Sequence, residues 1–239
     1  MTVRGNLIIV SGPSGAGKSA ISAGVLEQLP GMRFSISYTT RPPRGGEENG
    51  VHYSFVNRDE FDHLIRAGEL LEWAEVYGNL YGTSRKLIDE GLAGGQDVLL
   101  DVDVQGAKTI CQKRPGATSV FIMPPSYGVL RERLEQRKLD KAYVIEQRLR
   151  VACEEIRQYA DYDYLIINSD LGKAIEELKA IVTGSRCRMR RRAEDAQAIV
   201  ATFGGGECLR SLKISDPSTG SSSLQPNAPS NCRITPNPK

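Results

Sequence analysis

The 239-residue chain is 40% hydrophobic and 25% charged, ordinary values for a globular protein with one sizeable core. Its formal net charge of +2 argues against a nucleic-acid-binding surface and leaves any anion recognition to local clusters. Five cysteines, odd in number and lacking a CxxC pair, together with only two histidines, argue against a zinc site and for free thiols in a reducing cytoplasm.

The opening stretch MTVRGNLIIVSG has an apolar core of four residues, too short for a signal peptide, and no later run approaches a membrane span. Three compact apolar runs, NLIIVS (Asn6 to Ser11), DVLLDVD (Asp97 to Asp103) and TSVFIM (Thr118 to Met123), lack alternation and read as strands buried on both faces. A fourth, DYLIIN, follows at Asp163 to Asn168. Helical patterns lie between and after them at Lys18 to Leu29, Lys86 to Ala93 and Leu171 to Phe203. The alternation predicts an α/β fold with a parallel sheet flanked by helices.

The first chemical motif follows the first strand. GPSGAGKS, Gly12 to Ser19, fits G-x-x-x-x-G-K-[ST] between a strand and a helix, the context that gives the pattern its meaning. Its glycines let successive N–H groups face an anion, and the helix N-terminus adds the positive end of its dipole. Lys18 is placed for β- and γ-phosphates and the Ser19 hydroxyl for magnesium, so a nucleoside triphosphate, with ATP the expected donor, is predicted.

Residues 35 to 83 interrupt the alternation with short strand-like pieces, the turn signals PPRGGEENG and GNLYG, and one short helix around Asp59 to Ala67. This reads as an inserted mixed α+β unit. Within it Arg41 and Arg44, spaced by the stiff pair Pro42 and Pro43, can clamp a second phosphate, supported by the phenols of Tyr53 and Tyr81. Trp73, in LLEWAEV, is expected in the core.

Arg131 to Arg157 reads as two charged helices, with seven basic residues between Arg131 and Arg150, which alone would suggest a solvated face. The run RCRMRRR, Arg186 to Arg192, is expected late in the last helix, where cations favour the dipole. From Gly204 the composition changes, and Asp216 to Lys239 contains five prolines and five serines, too little apolar surface to offset ordering entropy. Residues 205 to 239 are therefore expected to be a disordered tail.

The chain resembles the guanylate kinases. The stretches that carry the resemblance are GPSGAGKS, SISYTTRPPRGGEENGVHYSF, GELLEWAEVYGNLYGT, LLDVDVQGAK, RERLEQR with IEQRL, and YLIINSDL, in the family's order over roughly residues 4 to 203. The resemblance implies a P-loop core (1 to 34, 84 to 125 and 158 to 204), a GMP-binding subdomain (35 to 83) and a helical lid (126 to 157).

It also implies roles by position. ATP would be bound by Gly12, Pro13, Ser14, Gly15, Ala16, Gly17, Lys18 and Ser19, with Arg133 and Asn168 bordering it. Arg41, Arg44, Tyr53 and Tyr81 would hold the GMP phosphate, while Ser37, Glu72, Thr83 and Asp103 surround guanine. Ser19 and Asp101 would serve magnesium, and Lys18, Arg41, Arg137 and Arg148 the chemistry. The implied reaction is reversible phosphoryl transfer from ATP to GMP or dGMP, without nucleic acid or membrane as partner. Two rivals are another nucleoside monophosphate kinase on the same core, and a scaffold domain that keeps the fold without catalysis. Intact Gly17, Lys18 and Ser19 oppose the second.

Overall fold

Successive residues of the first apolar run face opposite sides of one sheet, which is why the run does not alternate. The computed structural model describes residues 4–76, 78–136 and 142–203. In chain order its strands are β1 (Leu7–Ser11), β2 (Met32–Phe34), β3 (Tyr38–Thr39), β4 (Ser54–Phe55), β5 (Leu70–Val76), β6 (Asn79–Ser84), β7 (Asp97–Asp101), β8 (Thr118–Met123) and β9 (Tyr164–Ile167). Its helices are α1 (Lys18–Gln28), α2 (Arg58–Arg66), α3 (Arg85–Ala93), α4 (Val104–Lys113), α5 (Tyr127–Gln136), α6 (Ala142–Glu155), α7 (Leu171–Arg186) and α8 (Met189–Phe203).

A parallel sheet in the order β2-β7-β1-β8-β9 forms the core. Ile8 and Val10 of β1 pack with Ile21 and Val25 of α1 and with Leu178 and Val182 of α7. Leu7 and Ile9, one residue out of step, pack with Ile88 and Leu92 of α3 and Ala107 and Ile110 of α4 on the other face. Strands covered on both sides by crossover helices need apolar residues at every position. Edge strand β9 departs from this: Ile166 is buried while Tyr164, Leu165 and Ile167 are exposed. At the opposite edge, the three half-buried residues of β2 pair only with β7.

The insertion folds as a second sheet, β4-β3-β6-β5, over α2. Asn57 and Glu60 form a reciprocal capping box that starts this helix, and Phe61 packs between Leu70 and Leu80. A bulge between Leu70 and Glu72 turns Leu70 into this small core and lets Leu71 join the main one. The insertion is thereby tied to the parallel sheet.

Four expectations are corrected. Trp73 is 50% exposed rather than core. On edge strand β5 the neighbouring Glu72 takes the inward side against α4, so alternation turns Trp73 outward, opposite Gly82. The DVLLDVD strand stops at Asp101, because Asp103 caps α4 by accepting from the Gln105 and Gly106 amides. Leu171 to Phe203 is two helices, broken at Cys187 and Arg188.

The arginine run lies at that break instead of trailing a helix. Arg186 pairs with buried Asp97 at 2.6 Å, Arg190 donates to the Gly116 carbonyl and Arg191 to the Gly5 carbonyl. These bonds anchor the loops below the sheet. The chain divides into two compact units, Met1–Arg192 and Ala193–Lys239. The second is described only to Phe203, where Ile199, Val200 and Phe203 are exposed on the helix; the expected tail, 205 to 239, lies outside the described residues. Among the described residues no helix is long and apolar enough to cross a membrane.

Candidate active site

The turn after β1 is closed on both sides. Gly12 and Gly17 adopt φ of 137° and 98°, where L side chains are strained. A Cβ on Gly12 would fall 2.2 Å from the Ile122 carbonyl oxygen, and one on Gly17 2.2 Å from Asn168 Nδ2. Gly17 is also the residue from which α1 starts, so the loop opens onto a helix N-terminus. Lys18 Nζ donates to the Gly12 carbonyl at 2.8 Å and lies 3.9 Å from Asp101 Oδ1. Ser19 Oγ donates to Asp101 Oδ2 at 2.9 Å, joining the start of α1 to the end of β7.

Hydroxyl and carboxylate oxygens on adjoining elements are the donor set of a hard cation. Among the described residues no three His, Cys, Asp or Glu side chains could hold a metal ion together. One hydroxyl and one carboxylate suit a magnesium ion that keeps waters and takes its remaining ligands from phosphate.

Helices α5 and α6 reach the same loop. Leu130 and Leu134 of α5 lie against Gly15 and pack with Leu149 and Ala152 of α6. Arg133 donates to the Ala16 and Asn168 carbonyls, and Asn168 Nδ2 donates to Ala16 at 2.7 Å. Arg148 is buried and donates to the Ser14 hydroxyl. Arg137 lies outside the described residues. Pro13 is buried in the loop's first turn.

A second cluster forms on the insertion. Arg41, only 8% exposed, donates from Nη2 to both oxygens of Glu47 at 2.9 Å each, and from Nη1 to the Pro42 carbonyl. Its guanidinium carbon lies 5.3 Å from the Tyr53 ring centre, and Tyr53 meets Tyr81 edge-on at 6.0 Å. Burial opposes the Arg41 charge, but Glu47 and Tyr81 outweigh it and hold its pKa above the ordinary value. Burial lifts the Tyr53 phenol to about 12, with the Asp101 charge adding, so Tyr53 stays a neutral donor. Arg44 is not stacked with Arg41: its side chain is exposed and its backbone N–H donates to Glu47 at 2.7 Å.

A buried carboxylate lies where β5 meets α4. Glu72 is 5% exposed, accepts from the Thr83 hydroxyl across the β5-β6 pair, and faces Gly106 at the start of α4. Burial pushes it up to about 7, Asp103 adds to the shift, and the Thr83 hydrogen bond and Lys113 oppose it. Ser37 is half-buried beside these strands, its carbonyl accepting from the Ser54 amide.

Two residues escaped the sequence reading. Glu47 is one of three glutamates and asparagines in a turn-rich stretch, with no pattern to separate it from its neighbours. Glu155, at the end of α6, is half-buried, and burial pushes its carboxyl up to about 7, opposed by the Lys18 charge. No local motif links it to a loop 141 positions earlier in the sequence.

A phosphate-binding loop on a parallel sheet, faced by a second set of anion donors on an inserted sheet, defines a P-loop nucleoside monophosphate kinase. The family model for guanylate kinase matches residues 4–185, and the chain belongs to that family. Guanylate kinase of Vibrio parahaemolyticus is 50% identical over 192 residues, covering 80% of this chain and 93% of that protein. Guanylate kinase of Escherichia coli K12 is 48% identical over 200 residues, 83% of this chain and 97% of that protein. The crystal structure of guanylate kinase from Anaplasma phagocytophilum superimposes with a TM-score of 0.66 at 34% identity, over 79% of this chain and 90% of that one.

Proposed function

We propose that the chain transfers the γ-phosphoryl group of ATP reversibly to GMP or dGMP, giving ADP and GDP or dGDP. The observation that carries the choice of acceptor is the buried Glu72 beside Thr83. A carboxylate accepts and cannot donate, which suits the N1–H and 2-amino donors of guanine and opposes the N1 lone pair of adenine. The Ser37 hydroxyl can donate to O6, the single Thr83 hydroxyl hydrogen is already given to Glu72 and holds that carboxylate in place, and Asp103 adds a further acceptor nearby.

In this reading Gly12 to Ser19 cradle the ATP phosphates and Lys18 leaves the loop carbonyls to follow the β- and γ-oxygens. Arg133 and Asn168 border the nucleotide. Arg41, Arg44, Tyr53 and Tyr81 hold the GMP phosphate, with Glu47 fixing the guanidinium in its plane. The attacking GMP oxygen is largely anionic near neutral pH, since a phosphate monoester has a second pKa of about 6. No general base is then required, and catalysis reduces to in-line positioning and neutralisation of charge by Lys18, Arg137 and Arg148. Magnesium, held by Ser19 and through Asp101, supplies further neutralisation of phosphate oxygens.

Residues 35 to 83 and 126 to 157 are the parts we assign to closure over GMP and ATP, which excludes water as a competing acceptor. Free Cys111, Cys153 and Cys187 fit a reducing cytoplasm.

Coupled measurement of ADP formation with GMP, dGMP, AMP, UMP and dTMP in turn tests the proposal. Turnover confined to the guanine nucleotides supports it. Turnover with another monophosphate, or none at all, overturns it in favour of a related kinase or a binding domain.

A further inference from the structure

The two carboxylates assigned to guanine meet at a residue that has no side chain. Gly106 stands in the first turn of α4, on helical backbone that any L residue adopts. Its amide donates to Asp103 Oδ1 at 2.9 Å, within the cap of the helix. A Cβ on Gly106 would fall 3.0 Å from Glu72 Oε2 and 3.3 Å from the Glu72 carboxyl carbon. Both are closer than ordinary van der Waals contact, which begins at 3.4 Å, so the carboxylate lies against α4 only because position 106 is bare. Alanine is the better helix former, so helix stability does not account for a glycine here.

Neither wall of this slot can retreat. Ala107 and Ile110 of α4 are fully buried in a core that also takes Leu71 of β5. Lys113, at the end of α4, donates to the Leu71 carbonyl at 2.6 Å and ties the helix to the backbone beside Glu72. What can yield is the Glu72 side chain, whose carboxylate is held by the Thr83 hydroxyl. A methyl group at position 106 would therefore push that carboxylate away from its hydroxyl partner by a few tenths of an ångström. Recognition by fixed acceptor oxygens depends on where they stand, and a misplacement of ~1 Å can cost about 10²-fold in rate.

We infer that Gly106 is a positioning residue for acceptor specificity: its missing side chain makes the slot that holds the Glu72 carboxylate where guanine needs it, and its amide holds Asp103 beside it. The inference rests on Glu72 as the residue that reads guanine. In keeping with two carboxylates gathered at one residue, the Asp103 charge adds to the upward shift of Glu72.

The test is a double-mutant cycle of wild type, Gly106→Ala, Glu72→Ala and the double variant. It reads kcat/KM for GMP and AMP, the Kd of a non-hydrolysable ATP analogue with magnesium, and the melting temperature. Gly106→Ala should lower kcat/KM for GMP about thirtyfold through a raised KM. Use of AMP and the analogue Kd should stay within about threefold of wild type, since neither depends on the displaced carboxylate. The melting temperature should not fall, because alanine favours the helix. In Glu72→Ala the slot is vacant, so adding Gly106→Ala should change GMP use by no more than about threefold.

A loss of GMP use below about tenfold in Gly106→Ala, an equal loss toward AMP, or a similar loss in the Glu72→Ala background overturns the inference. So does a Gly106→Ala protein that fails to fold or melts well below wild type, since the glycine would then serve the packing of α4 alone. A wild type that turns over no guanine nucleotide overturns the proposed function and this inference together. Guanine-specific turnover by the wild type with Gly106→Ala unaffected overturns this inference alone.

Discussion

Arg41 grips both carboxylate oxygens of Glu47 from a single guanidinium nitrogen at 2.9 Å each, while Tyr53 and Phe55 cover its face at 5.3 and 5.8 Å. A cation so restrained points its remaining donors in a fixed direction, which is what recognition of a planar or tetrahedral oxyanion needs.

A lysine at this position would keep the charge and lose the planar fork. Arg41→Lys should therefore lower kcat/KM for GMP by about two orders of magnitude, equivalent to ~2–3 kcal/mol of charge-assisted hydrogen bonding. Its Kd for an ATP analogue should stay near wild type. Equal loss toward both nucleotides would place Arg41 outside the acceptor site.

Lys18 spans the loop at 2.8 Å from the Gly12 carbonyl and is the loop's own mobile cation. Lys18→Ala should reduce kcat by about two orders of magnitude or more, the effect of removing a transition-state electrostatic donor. The melting temperature should change little, because the loop glycines and Asn168 hold the turn without it. Steady-state kinetics paired with a thermal melt decide this, and near-wild-type turnover would remove Lys18 from the catalytic step.

The pKa of Glu72 sets a pH dependence whose sign is fixed. It is raised from 4.5 to about 7, so the folded protein keeps a proton that the unfolded chain releases between those values. Its contribution to stability is fully present below about 4.5 and is lost as pH rises through about 7. Guanine recognition runs the other way, since only the ionised carboxylate accepts from both donors. Guanosine, which lacks a titrating phosphate, should inhibit competitively with a Ki that rises about tenfold per pH unit below about 7. A flat Ki between pH 5 and 8, in assay terms ~3 units across the expected break, would remove Glu72 from the guanine site.

Asp97 carries a structural prediction. It is 4% exposed and accepts from the Asn6 backbone and side chain at 2.6 and 2.8 Å and from Arg186 at 2.6 Å. Asp97→Ala leaves those donors unmatched and should destabilise the fold by about 3 kcal/mol, the cost of breaking a buried charge pair. KM for either nucleotide should be unaffected at a temperature where the variant is folded. Chemical denaturation and kinetics at low temperature separate the two effects.

Much of this was legible locally. GPSGAGKS specifies its turn because each glycine answers a steric demand within reach of the motif, and the apolar runs of β1, β7 and β8 specify a doubly covered sheet. What stayed hidden depends on distant partners. The break after Arg186 follows from Asp97 and the carbonyls of Gly5 and Gly116, none of them near in sequence. Trp73 reads as core by composition, yet the demand for Glu72 to face inward fixed its side of the strand. Arg148 meets Ser14 only after α6 folds back across the loop.

The most direct test of the account compares kcat/KM for GMP and AMP in the wild type and in Glu72→Gln. A buried site of fixed hydrogen-bond polarity discriminates by as much as ~10⁴, because the wrong base leaves its groups unpaired. The wild type should favour GMP strongly, and Glu72→Gln, nearly isosteric but presenting an amide donor, should collapse that preference while leaving the melting temperature close to wild type. A GMP-to-AMP ratio that is the same in both proteins would contradict the assignment of Glu72 as the residue that reads guanine.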